Sequence, residues 1–541
     1  MAVAEQRRAP SRPSGWSDSS HGERADADYA RIFRDDRVQR IDIEITPDVA
    51  ESLDDDLSQR IGPLGSPASA PAAVEACAGR SQNAACSFLE VEGGRCINRG
   101  RLTCRGPDQE VAIDMVPGDP VMVPVTVRYD GKVWTRVGFR YKGNSSLSRP
   151  WTERIRKLPF RLDFDKFEDE HPELKNQRFY GFDKLTFASA YGDPSFIREK
   201  LAFDMLRDAG LAAARASFYR VYVDAGDGPK YWGVYTVVED PSDVLPRARF
   251  ADGSGNVYKP DGTGADFTRF DVRGFEKKSN EEAADYGDVQ RAISALNGAR
   301  DDAAAWRRRL EQTIDVEAFL GNHAVRMAVD HWDGYGQLAH NYYLYGDPDH
   351  GGRLVFLSWD HNSTWGARAR TSILPESLSS RWPLIRNTLS DSVYRARYLA
   401  RLRQFVEGPY EKSRFDAYAS KLHALVAPYV VGDGGERAPF THLRATDTFQ
   451  QALGTIVAAA DSRRAEIRRA LASGEPTRNP PSNDPSNSDA PADSETPVDS
   501  DLNADEASYP EEDSYEDDYE YESEEPSRWR FDDPRWQLIG E

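Results

Sequence analysis

The stretch HNYYLYGDPDHGGRLVFLSWD, residues 340–360, reads as two strands around a turn at Asp347 to Gly352. Asn341 begins the first strand and Asp360 ends the second. A hairpin returns its ends to one place, so these two residues are expected to be neighbours. Asp333, within Asp330-His331-Trp332-Asp333-Gly334-Tyr335, lies on the loop leading in. Carboxylates plus an amide, converging on one hairpin mouth, are hard oxygen donors of the kind that hold Mg²⁺ against phosphate. The plainer reading of each is a helix cap or a turn-satisfying side chain. Five of the nine histidines also fall here (His323, His331, His340, His350, His361), which raises a zinc hydrolase as a rival. No HExxH or other compact ligand pattern supports it.

Outward from the hairpin, the chain is helical from about 280 to 330 and again over 392–472. The earlier half is mostly strand. RIDIEI at 40–45 alternates strictly, and a helix is expected near Pro47. From Val121 to Phe250 strands dominate, interrupted by one amphipathic helix from Asp193 to about Ala209 that stops at Gly210. The loop Tyr141-Lys142-Gly143-Asn144-Ser145-Ser146 joins two expected strands, and such loops can turn backbone N–H groups toward phosphate. This order describes an α+β chain, a strand-rich N-terminal half followed by a helix-rich C-terminal half.

The formal net charge is −21, but it is concentrated. Residues 474–541 hold 22 acidic and four basic side chains, −18 of the total, leaving −3 for the rest. That tail and residues 1–28 are expected to be disordered. The tail ends in RWRFDDPRWQLIGE, whose aromatic side chains suit docking on a partner. No basic patch points to nucleic acid, and no apolar run spans a membrane. The four cysteines (Cys77, Cys86, Cys96, Cys104) cluster in an insertion at about 60–118, spaced C-x8-C-x9-C-x7-C. This spacing suits two disulfides, with three connectivities open, better than a zinc site. Disulfides imply export to the cell or spore surface. The N-terminus shows no signal-peptide core, so the sequence either follows a removed leader or stays in the cytoplasm.

Several ordered blocks resemble the CotH family, the spore-coat-protein-H-like atypical kinases. They are RIFRDDRVQRIDI (31–43), RYKGNSS (140–146), PFRLDFDKF (159–167), DPSFIREKLAFD (193–204), YWGVYTVVE (231–239) and GNVYKP (255–260). Trp332-Asp333 to Tyr345, and Trp359-Asp360 to Trp365-Gly366, complete the series. The resemblance covers about residues 29–472, outside the cysteine insertion and the acidic tail of 473–541. It implies a two-lobed, protein-kinase-like fold that transfers the γ-phosphoryl of ATP, with Mg²⁺ or Mn²⁺, to Ser/Thr of coat or envelope proteins. Within it Lys142, Asn144 and Ser145 belong to the phosphate loop. Lys184 would reach the α/β-phosphates with Glu199 as ion-pair partner, and Lys142 and Arg161 compete for the same role. Asp333 matches the catalytic-loop aspartate, Asn341 the metal-side amide and Asp360 the metal-holding aspartate. Asn362 stands where many relatives carry a second acid, and GxGxxG, VAIK and DFG are all missing. The alternatives are a non-catalytic adhesion module on the same scaffold, or another ATP-dependent transfer such as nucleotidylation or glutamylation.

Overall fold

The computed structural model describes residues 11–89, 91–98, 101–106, 115–367, 369–375 and 377–473. The acidic tail therefore lies outside the described residues. Strand β1 is Gln39–Glu44, and β2 (Ala85–Phe88), β3 (Val91–Asn98) and β4 (Leu102–Arg105) lie in the cysteine insertion. Next come β5 (Val123–Tyr129), β6 (Lys132–Tyr141), β7 (Phe160–Asp163), β8 (Lys184–Ala188), β9 (Ala216–Asp224) and β10 (Pro229–Glu239). The second half contributes β11 (Asn256–Pro260), β12 (Phe275–Lys277), β13 (Tyr342–Asp347) and β14 (Arg353–Ser358).

Seven strands close a barrel in the order β1-β5-β6-β7-β8-β10-β9. The alternation read in β1 is realised, since Ile41 and Ile43 are fully buried while Arg40 is exposed. A parallel ladder from β1 to β9, with Ile41 opposite Val221, closes the ring. Its interior is an aromatic and aliphatic core that includes Trp134, Phe160, Phe187 and Tyr235. A second core joins the four-stranded sheet β12-β11-β13-β14 to helices Val316–Ala328, Ser392–Glu407, Lys412–Val430 and Thr446–Ser473. The mixed architecture with a strand-rich first half is as expected.

Four local expectations are corrected. Residues 11–28 are not featureless, because His21 is buried and stacks on Trp134 with ring centroids 4.5 Å apart. The helix expected from Asp193 begins at Arg198, because the Asp193 carboxylate accepts the N–H groups of Ser195 and Arg198 and folds a turn first. The phosphate-loop segment does not run straight into a strand but into a helix, Ser145–Thr152. The hairpin β13–β14 is half of a larger sheet, extended by β11 and β12. In the insertion, Cys77 pairs with Cys96 and Cys86 with Cys104. No helix among the described residues is long and apolar enough to cross a membrane.

Candidate functional site

The hairpin closes as its sequence requires. Tyr342 pairs with Ser358, and the Trp359 N–H reaches the Asn341 carbonyl at 3.2 Å, so Asn341 and Asp360 sit side by side. The Asn341 amide donates to the Asp333 carbonyl at 2.8 Å, which ties the incoming loop to the hairpin mouth. Asp333, Asn341 and Asp360 are thus brought together. Asp330 is not part of the group, since its carboxylate accepts the N–H groups of Arg370 and Thr371 and the Thr371 hydroxyl.

The loop after Asp360 is held from two sides. His331 links its Nε2 to the Asp360 carbonyl at 2.7 Å, while its Nδ1 accepts from Arg326 Nε at 3.1 Å. Burial, then the neighbouring His361 and Arg326, keep His331 neutral, with its pKa well below the usual imidazole value. From the other side the Glu199 carboxylate accepts the His361 N–H at 2.7 Å. Glu199 is therefore not the ion-pair partner of Lys184. Burial, with Asp360 nearby, pushes its pKa well up. Lys184 instead faces Asp183, Asp163 and Asp240.

On the barrel side, the register Tyr141↔Phe160 places Arg140, Lys142 and Arg161 on one outward face of neighbouring strands. Arg161 is fixed by Asp240 at 2.8 Å, whereas among the described residues Lys142 Nζ hydrogen-bonds only Thr186 Oγ1, at 3.5 Å. Its ammonium lies 5.9 Å from the Trp359 ring centroid, directly before Asp360. Burial, then the charges of Arg161 and Lys259, bring the Lys142 pKa down to about 7. Asp360 responds in the opposite sense. Burial and the charge of Asp333 push its pKa up to about 6, against the pull of His340, Lys142 and Lys259. His340 hydrogen-bonds Asp333 Oδ1 at 2.8 Å; burial pulls its imidazole pKa down, but Asp333, with Asp261 and Asp360, raises it overall.

The result is a cleft with Lys142, Arg161 and Lys259 facing two crowded carboxylates. Asn341 and Asn362 each donate their NH₂ to a backbone carbonyl, those of Asp333 and Tyr191, which leaves their amide oxygens for a cation. One carboxylate and two amide oxygens fit Mg²⁺ as a donor set. Asn144 lies at the rim, where its Oδ1 accepts the Met115 N–H at 2.6 Å, and Ser145 starts the adjoining helix. Gly143, at φ +109°, permits the turn between strand and helix. Zinc is not supported. Among the described residues the only converging trio of His, Cys, Asp or Glu ligand atoms is Cys77, Cys86 and Cys104, all in disulfides.

Sequence reasoning missed Lys259, Asp240 and Arg326. Lys259 lies inside GNVYKP, a block singled out without a role, while Asp240 directly follows YWGVYTVVE. Arg326 carries no local signal in the sequence, since its burial on helix Val316–Ala328 and its reach to His331 are visible only in the fold.

Comparison with known proteins gives a consistent answer. A family model described as CotH kinase protein matches residues 139–467. Inner spore coat protein H of Bacillus subtilis (strain 168) is 24% identical over 289 residues, covering 50% of this chain and 75% of that protein. Invasin CotH2 of Rhizopus delemar is 28% identical over 190 residues, 32% of this chain and 30% of the invasin. Invasin CotH7 of the same organism is 22% identical over 259 residues, 44% and 41% respectively.

Proposed function

The chain belongs to the CotH kinase protein family, and on that premise we propose that the hairpin-mouth cleft transfers the γ-phosphoryl group of ATP to hydroxyl side chains of surface or coat proteins. The observation that carries this reading is the meeting of three cations with the Asp333–Asp360 pair in one partly buried cleft. Phosphoryl transfer needs little covalent help from the protein and depends on charge neutralisation and alignment. Lys142, which makes no ion pair among the described residues, is the cation for the nucleotide phosphates. Arg161, anchored on Asp240, and Lys259 add fixed positive field. Lys184 and Glu199 do not form the expected clamp, so Glu199 acts by holding the loop that carries Asp360.

Asp360, with the amide oxygens of Asn341 and Asn362, would hold Mg²⁺ or Mn²⁺, which supplies positive charge to the β- and γ-phosphate oxygens. Asp333, oriented by His340, takes the proton of the acceptor hydroxyl as its oxygen bonds to phosphorus. The bond to the β–γ bridging oxygen breaks and ADP leaves. The relatives named as an inner spore coat protein and as invasins support acceptors at a cell or spore surface. Two disulfides support the same location.

The test is incorporation of label from γ-labelled ATP with Mg²⁺ or Mn²⁺. Asp333→Asn and Asp360→Asn are each expected to lower the rate at least ~100-fold, the usual scale for a catalytic acid–base or charge-stabilising group. Undiminished labelling in both variants would falsify the site. Label transferred from the α position instead points to nucleotidylation. The invasin names favour one second reading, a non-catalytic adhesion module. Under that reading ATP and Mg²⁺ give no thermal shift.

A further inference from the structure

Away from the hairpin mouth, a cavity of about 1010 Å³ lies against the last turns of helix Arg198–Asp208. Its walls are ionic, five arginines against five carboxylates, but the pairing leaves two arginines over, because Lys200 and Arg353 reach in from outside the wall to take up carboxylates. Asp35 and Asp204 are both engaged by Lys200, and Asp208 by Arg414 at 2.8 Å. Asp315 meets Arg353 at 3.5 Å, and Glu317 meets Arg401 at 3.2 Å. Every carboxylate of the wall is thus committed, and Arg207 takes up Asp204 as well.

Arg215 and Arg249 are left over. Among the described residues neither has an ion-pair partner, and Nε and Nη2 of Arg249 are buried without a hydrogen bond. Arg215 lies over the Tyr29 ring at 5.2 Å. Burial, then the charges of Arg207 and Arg249, pull its pKa below the usual arginine value. The acid beneath them, Glu239, is buried, and accepts from the Tyr29 hydroxyl and from the Arg215 backbone N–H at 2.9 Å. Two crowded guanidiniums over one occupied carboxyl, at the wall of a cavity, leave unmet donors of the kind that oxyanions satisfy. Buried polar groups without partners are costly, so a ligand that supplies the missing acceptors is strongly favoured. The cavity is also lined by Met205, Leu211, Ala212 and Phe250, an apolar surface continuous with the arginine end.

We propose that this cavity is a second ligand site, separate from the hairpin-mouth cleft, that takes a small phosphate ester. The phosphate lies on Arg215 and Arg249, and the apolar body of the ester lies on Met205, Leu211 and Phe250. Its volume is at the upper end of ordinary small-ligand pockets, roughly 300–1000 Å³, so the site has room for more than a bare ion.

The experiment is calorimetric titration of the full chain with phenyl phosphate and with inorganic phosphate. Saturable binding is expected, tighter for the ester. Arg249→Gln and Arg215→Gln are each expected to weaken it at least tenfold, while Lys142→Met, which alters the cleft, leaves it unchanged. Arg249 makes no ion pair among the described residues and its Nε and Nη2 have no hydrogen bond, so the ligand-free melting temperature of Arg249→Gln should be equal to or above that of the parent protein. Arg249→Lys, which keeps the charge, should retain part of the binding. The proposal is overturned by unchanged binding in both arginine variants, or by loss only with Lys142→Met. It is equally overturned if equimolar sodium chloride reproduces the heat, or if Arg249→Gln lowers the ligand-free melting temperature.

Discussion

Lys142 is placed where an ammonium is least comfortable, half-buried on the barrel face with Arg161 and Lys259 close by. Its value of about 7 lies below the 10.5 of a free lysine side chain. Between those two values the folded protein holds fewer protons than the unfolded chain, so this group stabilises the fold as pH rises through that window. Binding runs the other way. A polyphosphate prefers the ammonium, so nucleotide affinity is expected to fall as pH climbs through about 7, with proton uptake on binding above it. Calorimetry in two buffers of different ionisation enthalpy checks both. In Lys142→Arg, whose guanidinium stays charged, affinity should hold up to about pH 9. Asp360, raised to about 6, is already ionised over that range and contributes no opposing slope there.

Among the elements, the insertion β2-β3-β4 depends most on covalent help. Its own core is small, formed by Ala73, Phe88 and the four cysteines. The disulfides span 19 and 18 residues, and loops of that length are worth about 3 kcal/mol each. Replacing both cysteines of either pair by serine should abolish hydrogen-exchange protection in β2–β4 while that of β5–β10 persists. The hairpin β13–β14 was legible because its turn chemistry and strand residues are contiguous, and the alternation of β1 was legible for the same reason. The strand β11 was not. Val257 pairs with Tyr345, nearly ninety residues on, and no local pattern announces so distant a partner. Helix Arg198–Asp208 starts later than its sequence suggests because the Asp193 carboxylate folds a turn over Ser195 and Arg198 before the helix begins. The meeting of Asn341 and Asp360 followed from hairpin geometry, while Asp333 joins them through the hydrogen bond from the Asn341 amide to its carbonyl. The destination of Glu199 did not, since a buried carboxylate chooses among partners that only tertiary packing supplies.

At the scale of the molecule, the barrel and the helical half are joined by a buried ion pair, Lys157 with Glu436. Gly233, at φ +111°, lies at the irregularity in β10 and leaves the space through which Glu436 also accepts the Val234 N–H at 2.7 Å. Removing one partner of such a pair costs about 3–5 kcal/mol, because the other charge stays buried. Ending the chain at Ser473 removes −18 of the −21 formal charge and none of these contacts. The truncated protein should keep the parent melting temperature and the same ATP-induced shift in differential scanning fluorimetry. The closure of the barrel has a different consequence. The stretch matched by the family model, residues 139–467, omits β1, β5 and most of β6, which complete the ring. A closed barrel offers no free edge, but that shorter piece would bare the ladder groups of β9 and invite other chains to pair with it. A fragment that keeps the ring closed therefore has to begin at or before Gln39, a hundred residues ahead of the Phe139 at which the family match starts.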